Sequence, residues 1–359
     1  MGRACKAVID LEAIRSNYSV ARRCSPDSRT VAVIKADAYG HGARRVASAL
    51  PEADAFGVCC IEEAVELRDI GISQPILLLQ GFFEPAELTE ICGRDLWTVV
   101  HCLDQVEAIL SRACHPPLTV WLKIDTGMHR LGLNPAEFPP ALARLRESAN
   151  VGDIVLLTHF ACSDELDNPS TTRQIEAFRQ LTSKTGLPLS LANSGALLAW
   201  PDSHGNWNRP GFMLYGNSPL STSSQAAEQL TTAMTLQAEV VALRTVDPGE
   251  TVGYSETWKA ERPSRIATVS AGYGDGYPQQ APSGTPVLVK GRRAPLAGRV
   301  SMDLVTVDVT DLKDVQIGDR VVLWGDGLSV VEVANHVGAL AYELLTRLPP
   351  RLPREYIGS

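Results

Sequence analysis

Val31-Ala32-Val33-Ile34-Lys35-Ala36-Asp37-Ala38-Tyr39-Gly40-His41-Gly42 is the stretch that decides how this chain folds. Its first four residues are a branched, apolar run of strand length, and the glycines beyond it allow a sharp turn into a helix. Lys35 therefore stands at the carboxyl end of a buried strand, with a tyrosine four residues on and a histidine six on. A lysine held half out of water in such a place can lose its proton and form a Schiff base with an aldehyde. A lone lysine at a strand end is more often a solvated charge, so the weight falls on what the rest of the chain repeats.

Apolar runs of the same kind recur at Ala55–Cys59, Ile76–Leu79, Leu96–Val100, Leu118–Ile124, Ile154–Leu157, Pro188–Leu191 and Phe212–Leu214. Between them, Glu62–Ile70, Gln105–Leu110, Glu137–Arg146 and Thr172–Leu181 carry apolar residues three and four apart, the period of a half-buried helix. Eight strand–helix alternations within about 200 residues match a (β/α)8 barrel. A doubly wound open sheet shares that periodicity and stands as the alternative. Beyond Ser221–Gln229, a small and polar linker, the texture changes. Runs rich in β-branched residues (Thr235–Arg244, Ile266–Val269, Pro286–Val289, Leu304–Val309, Arg320–Leu323) alternate with turn formers such as Asp247-Pro248-Gly249 and Gly325-Asp326-Gly327. They predict a mostly antiparallel β domain with one late helix near Val331–His336. The expected organisation is α/β: a barrel over residues 1–228 and a C-terminal β domain over 229–359.

The composition bounds the function. The chain has 359 residues, 45% hydrophobic and 21% charged, as in a soluble enzyme of more than one domain. A net charge of −8, with basic clusters no longer than Arg22-Arg23 and Arg292-Arg293, argues against a nucleic-acid partner. No run approaches the ~20 apolar residues that cross a bilayer. Met1-Gly2-Arg3-Ala4-Cys5-Lys6 lacks the apolar centre of a secretory leader. Eight scattered cysteines without a C-x-x-C pair read as thiols of a reducing compartment, so a cytoplasmic location is expected. Seven histidines show neither H-E-x-x-H nor zinc spacing, so no metal is expected. Gly272-Tyr273-Gly274-Asp275-Gly276 lacks the spacing of a dinucleotide loop, and no G-x-x-x-x-G-K-[ST] occurs.

Barrel chemistry gathers at the carboxyl ends of the strands. The fifth run leads into Lys123-Ile124-Asp125-Thr126-Gly127-Met128-His129-Arg130-Leu131-Gly132, the sixth into Thr158-His159-Phe160 and the seventh into Ala192-Asn193-Ser194-Gly195. Arg209-Pro210-Gly211-Phe212 and Tyr215-Gly216 flank the eighth. Singly, each reads as a turn or a satisfied polar group; together they line one end. Ser194-Gly195 and Gly211-Phe212 fall in the loops after strands seven and eight, the usual phosphate position of barrels, where small residues expose backbone N–H groups. The later domain offers Thr251-Val252-Gly253-Tyr254-Ser255 and Ser301-Met302-Asp303. A tyrosine in a glycine-flanked turn is ordinarily a packing anchor.

From Lys35 to the Leu352-Pro353-Arg354 tail these segments resemble the alanine racemases, and the string around Lys35 resembles their pyridoxal-phosphate lysine signature. The resemblance implies an isomerase that interconverts L- and D-alanine, for peptidoglycan or for alanine catabolism. It implies a homodimer whose active sites join one subunit's barrel to the other's β domain, with Cys5–Ile9 adding a strand to that domain. Lys35 would hold pyridoxal 5'-phosphate covalently and serve as one base, Tyr254 as the other. Arg130 and the Met302 backbone would bind the substrate carboxylate. Tyr39, Ser194, Gly211 and Phe212 would bind phosphate, Arg209 would meet the pyridine nitrogen, and His159 would lie beneath the ring. Lys123, Asn193 and Asp303 would support them; in some relatives the lysine matching Lys123 is carbamylated. Where many relatives have a tyrosine two residues before the Leu-Pro-Arg segment, this chain has Pro350. The rivals are a decarboxylase of basic amino acids with the same design, a broad-specificity racemase, and a non-catalytic cofactor carrier. The first lacks its mid-barrel His-Gly loop and Glu-Pro-Gly-Arg turn here; the last has no use for the β domain.

Overall fold

The computed structural model describes residues 4–222 and 224–358; Met1-Gly2-Arg3, Ser223 of the linker and Ser359 lie outside the described residues. The chain divides into two compact units, one of Ile14–Ala38 with Gly42–Thr231, the other of Met1–Ala13, Tyr39–His41 and Thr232–Ser359.

In the first unit eight parallel strands form a sheet in the order β8-β7-β6-β5-β4-β3-β2-β9. They are β2 (Arg29–Val33), β3 (Ala55–Val58), β4 (Ile76–Leu78), β5 (Leu96–Val100), β6 (Leu118–Lys123), β7 (Val151–Leu157), β8 (Leu189–Ser190) and β9 (Trp207–Asn208). Helices cross between them, among them Ile61–Asp69, Leu103–Leu110, Phe138–Glu147 and Ser170–Thr182, each with one face buried. The short β8 and β9 close the barrel without a regular ladder. There the Arg209 N–H donates to the Ala192 carbonyl at 2.9 Å, and the Ser190 hydroxyl donates to the Trp207 carbonyl at 2.8 Å.

Phe212–Leu214, expected as the eighth strand, is instead part of a 3-10 turn, Phe212–Tyr215; the eighth strand is Trp207–Asn208, paired with β2 through Arg29↔Trp207 and Thr30↔Asn208. All four residues of the turn are buried. Their unbroken hydrophobicity reports burial on every side, which a short apolar run cannot distinguish from a strand.

The second unit is an eight-stranded sheet in which β15-β14-β17-β10-β1-β18 follow one another and β13 joins β10 to β16. The N-terminal strand β1 (Lys6–Asp10) pairs antiparallel with β10 (Met234–Val246) and parallel with β18 (Arg354–Ile357). The remaining strands of this sheet are β13 (Ser264–Val269), β14 (Pro286–Val289), β15 (Arg292–Pro295), β16 (Val305–Asp308) and β17 (Arg320–Trp324), while β11 (Thr251–Val252) and β12 (Trp258–Lys259) form a separate hairpin. Two late helices occur rather than one. Val330–Val337 is capped by the Ser329 hydroxyl and ended by left-handed Gly338, and Ala341–Thr346 follows it. Among the described residues no helix is long and apolar enough to cross a membrane.

Candidate active site

Side chains of a barrel strand point inward at every second residue. Val31, Ala55, Leu77, Val99, Trp121, Val155, Leu157 and Trp207 form one buried cluster and so fix the inward register. Two or four residues further along the chain, at or just past the strand ends, the same count of twos reaches Lys35, Cys59, His101, Lys123, His159 and Arg209. The hydrophobic interior thus gives way to a chemical layer at the carboxyl ends. The sequence reading passes over His101 and Cys59, although the same count of twos from Val99 and Ala55 leads to them.

Lys35 opens an unusual turn. Ala36, Asp37, Ala38 and Tyr39 have φ of 52–53°, a left-handed run without a glycine. Each such residue costs roughly 1–2 kcal/mol, so the turn must be held from outside. The Ala38 N–H donates to the Ile34 carbonyl at 2.8 Å, and the Gly42 N–H to the Asp37 carbonyl at 2.9 Å. The Ala43 N–H donates to Asp37 Oδ1 at 2.8 Å, and the Ala36 N–H to Glu63 Oε1 at 2.7 Å. In the second unit Gly40, at φ 80°, lies where a Cβ would run into the Leu345 carbonyl. There the Tyr39 ring packs 6.0 Å from Tyr342, and burial pushes its hydroxyl up to about 12, so it remains a donor at neutral pH.

The layer is crowded with positive charge. Lys123 is 7% exposed. Burial first, then Arg209, Arg130 and Lys35, bring its amine down to about 8, against the pull of Asp125. His159 is driven well below the ordinary imidazole range by burial and by Arg209, Lys123, Arg130 and Lys35. Burial, then Lys123, lowers His101 in the same sense. Arg209 is brought down to about 10 by burial and stays charged at neutral pH. Its bonds all go to neutral oxygens: Ser190 Oγ at 2.5 Å and the carbonyls of Thr158 at 2.7 Å and Leu191 at 3.2 Å. Asp125 shapes the turn that ends at exposed Arg130. Its Oδ1 accepts from the N–H groups of Gly127, Met128 and His129 at 3.0–3.1 Å.

Next to this layer, Ser194 Oγ accepts from the N–H groups of Gly211 at 2.9 Å and Met213 at 3.3 Å, which ties the loop after β8 to the loop after β9. Accepting twice leaves the hydroxyl proton to donate elsewhere. Asn193 caps the helix Ser194–Ala199 by accepting the Ala196 N–H at 3.0 Å and is steadied by the Ser163 hydroxyl at 2.9 Å. Phe212 is buried.

The remaining candidates belong to the β unit. Tyr254 is 70% exposed, on the turn between β11 and β12, and so is no packing anchor. Met302 is 53% exposed. Its carbonyl accepts the Gly274 N–H at 2.8 Å, and the Ser301 carbonyl accepts the Tyr273 N–H at 3.0 Å. Arg351, next to Pro350, donates through Nη2 to Asp303 at 2.8 Å and lies 2.9 Å from buried Asp275, fastening the two loops together. Among the described residues no cluster of His, Cys, Asp and Glu could hold a metal ion.

Comparison with known proteins gives a consistent answer. Residues 9–219 match the family model "Alanine racemase, N-terminal domain" and residues 233–356 "Alanine racemase, C-terminal domain". The biosynthetic alanine racemase of Pseudomonas aeruginosa is 52% identical over 99% of this chain and 99% of its own. The catabolic alanine racemase of Pseudomonas putida is 49% identical, over 99% of this chain and 100% of its own. The crystal structure of the biosynthetic enzyme from P. aeruginosa superposes with a TM-score of 0.96 at 51% identity, covering 99% of this chain and 100% of that one.

Proposed function

The chain belongs to the alanine racemase family and interconverts L- and D-alanine; from that premise we propose that it works as a cytoplasmic homodimer with pyridoxal phosphate in the barrel mouth. The observation that carries the cofactor is the imbalance of charge. Lys35, Arg130 and Arg209 all act on Lys123, these four cations act on His159, and Arg209 has only neutral partners. A flat, anionic phosphate ester suits that donor set. Lys35 would hold it, Ser194, Gly211, Phe212 and Tyr39 would meet the phosphate, and His159 would lie against the ring. Arg209 would face the pyridine nitrogen; a guanidinium still charged at neutral pH would donate there and leave that nitrogen unprotonated. When bound, the cofactor withdraws the electron pair left at Cα by deprotonation.

Racemisation needs a proton taken from one face of Cα and one returned to the other, which two bases accomplish with least motion. Lys35 would take the proton of D-alanine, and the partner subunit's Tyr254 that of L-alanine. Arg130 and the Met302 backbone would fix the substrate carboxylate, with Asp303 and Arg351 steadying the Met302 loop. The exposure of Tyr254 and Met302 supports a face completed by a second copy. Biosynthetic and catabolic relatives stand at nearly equal identity, 52% and 49%, so both physiological roles fit the chain.

The test is Tyr254→Phe in deuterated water. Racemisation should fall by about 10²–10⁴-fold, the span of a positioned general base. D-alanine should still exchange its Cα hydrogen with retention while L-alanine exchanges far more slowly. Equal loss of both exchanges, or full racemase activity, would falsify the assignment of one base to each face.

A further inference from the structure

We propose that Glu63 is the positioning residue for Lys35; this rests on the reading of Lys35 as the catalytic lysine. The parallel ladder between β2 and β3 ends just before the chemical layer. Val33 pairs with Gly57, and its last bond runs from the Ile34 N–H to the Gly57 carbonyl at 2.9 Å. One strand then leaves as the left-handed turn and the other as the start of the helix Ile61–Asp69. The N–H groups of Ala36 and Cys59, one on each side, therefore lose the carbonyl partners that a longer ladder would supply.

Glu63 supplies both. Its Oε1 accepts the Ala36 N–H at 2.7 Å and its Oε2 the Cys59 N–H at 2.7 Å. One carboxylate thus extends the ladder by a rung and pins the residue directly after Lys35. Bonds to a carboxylate are shorter and stronger than bonds between neutral groups. They act where the backbone is least content, at the first of four consecutive left-handed residues. Glu63 sits in the third position of its helix, where an acid commonly turns back to its own N-cap N–H. Here it reaches past the N-cap residue Cys60 to two strand ends. The Cys59 thiol registers the same neighbourhood: burial, then Glu63, push it up, and Lys35 pulls it down.

The consequence is geometric. Without the rung, the turn can relax toward right-handed backbone and carry the Lys35 amine off its line to the substrate. A displacement near 1 Å can lower turnover by about 10²-fold. The experiment compares Glu63→Gln, which keeps one acceptor oxygen, with Glu63→Ala, which keeps none, both in the loaded enzyme. The expected order of kcat is wild type, then Gln, then Ala, with KM for alanine nearly unchanged and far-ultraviolet circular dichroism preserved. A second readout needs no activity: amide hydrogen exchange at Ala36 and Cys59 in the cofactor-free protein should quicken in the same order. Borohydride trapping on wild type keeps the two readings apart. A label away from Lys35 sinks the catalytic assignment. A label on Lys35, with kcat and amide exchange unmoved by both substitutions, sinks the positioning role of Glu63. So does a fall in kcat that tracks only a loss of folded protein.

Discussion

Below the carboxyl ends of the barrel strands Trp97, Trp121 and Trp207 fill the interior ring against ring, with centroids 5.4–5.9 Å apart and the Arg29 guanidinium 5.3 Å from the Trp207 ring. Two residues on from Val99, Trp121 and Trp207, the inward positions are His101, Lys123 and Arg209. The strands and their register are common to both ends, yet one end gains from leaving water and the other loses. A fully buried tryptophan contributes several kcal/mol to folding, as truncations to alanine show at about 3–5 kcal/mol. Bringing the Lys123 amine from 10.5 to about 8 works against folding; at about 1.36 kcal/mol per unit it amounts to roughly 3 kcal/mol. The floor secures the barrel that the mouth strains.

That contrast can be broken at either end. Lys35→Ala should have the largest effect: activity should drop by more than the ~10⁴-fold of a single general base. Urea unfolding should move by no more than about 0.5 kcal/mol, since the side chain is only half-buried. Trp121→Ala should do the reverse. It should lower stability by about 3–5 kcal/mol in denaturant titrations, while turnover per folded molecule stays close to wild type. A large loss of turnover at full folding would mean that the floor also tunes the mouth.

Lys123→Met in the cofactor-free protein gives the smallest and most diagnostic effect. The folded amine has the lower pKa, about 8 against 10.5. The unfolded chain therefore binds the extra proton between those values, and stability rises with pH across that window. Below about 8 the penalty is present in full, so the methionine variant should be more stable at pH 7 by up to roughly 3 kcal/mol. The gain should vanish as the pH approaches 10.5. Unfolding midpoints at the two pH values decide it; a variant less stable at pH 7 would show that Lys123 is paired rather than strained.

Much of this was legible in the residues because burial writes itself as a period. The runs from Val31 to Leu157 are apolar since helices cover their outer faces, and the Lys35 string carries its chemistry in consecutive letters. Trp207–Asn208 escapes because two residues make no run, and the buried Phe212–Tyr215 turn beside it does. Strand β18 escapes for the opposite reason: Arg-Glu-Tyr-Ile alternates half-buried with exposed residues and has no apolar face. The left-handed turn has no sequence mark, since Ala-Asp-Ala lacks the glycine that announces positive φ. Glu63 acts through backbone N–H groups 27 and four residues away, and no spacing rule links it to both.

The place of β1 sets an order of assembly. It lies between β10 and β18, and the Lys6 ammonium meets the Glu355 carboxylate at 2.6 Å across 349 positions of sequence. A nascent chain therefore makes β1 before the barrel and leaves it single while the barrel is synthesised, at roughly 5–20 residues per second. Barrel helices and parallel neighbours can zip up from local contacts in the meantime, whereas β1 waits for β10, which follows the barrel, and for β18, which follows the other strands of its sheet. Its closure spans one of the longest loops the molecule has to draw in, and its exposed edge invites another chain's strand until then. Synthesis slowed just before β10 would prolong that exposure, and the damage would fall on the β unit while the barrel folded on schedule.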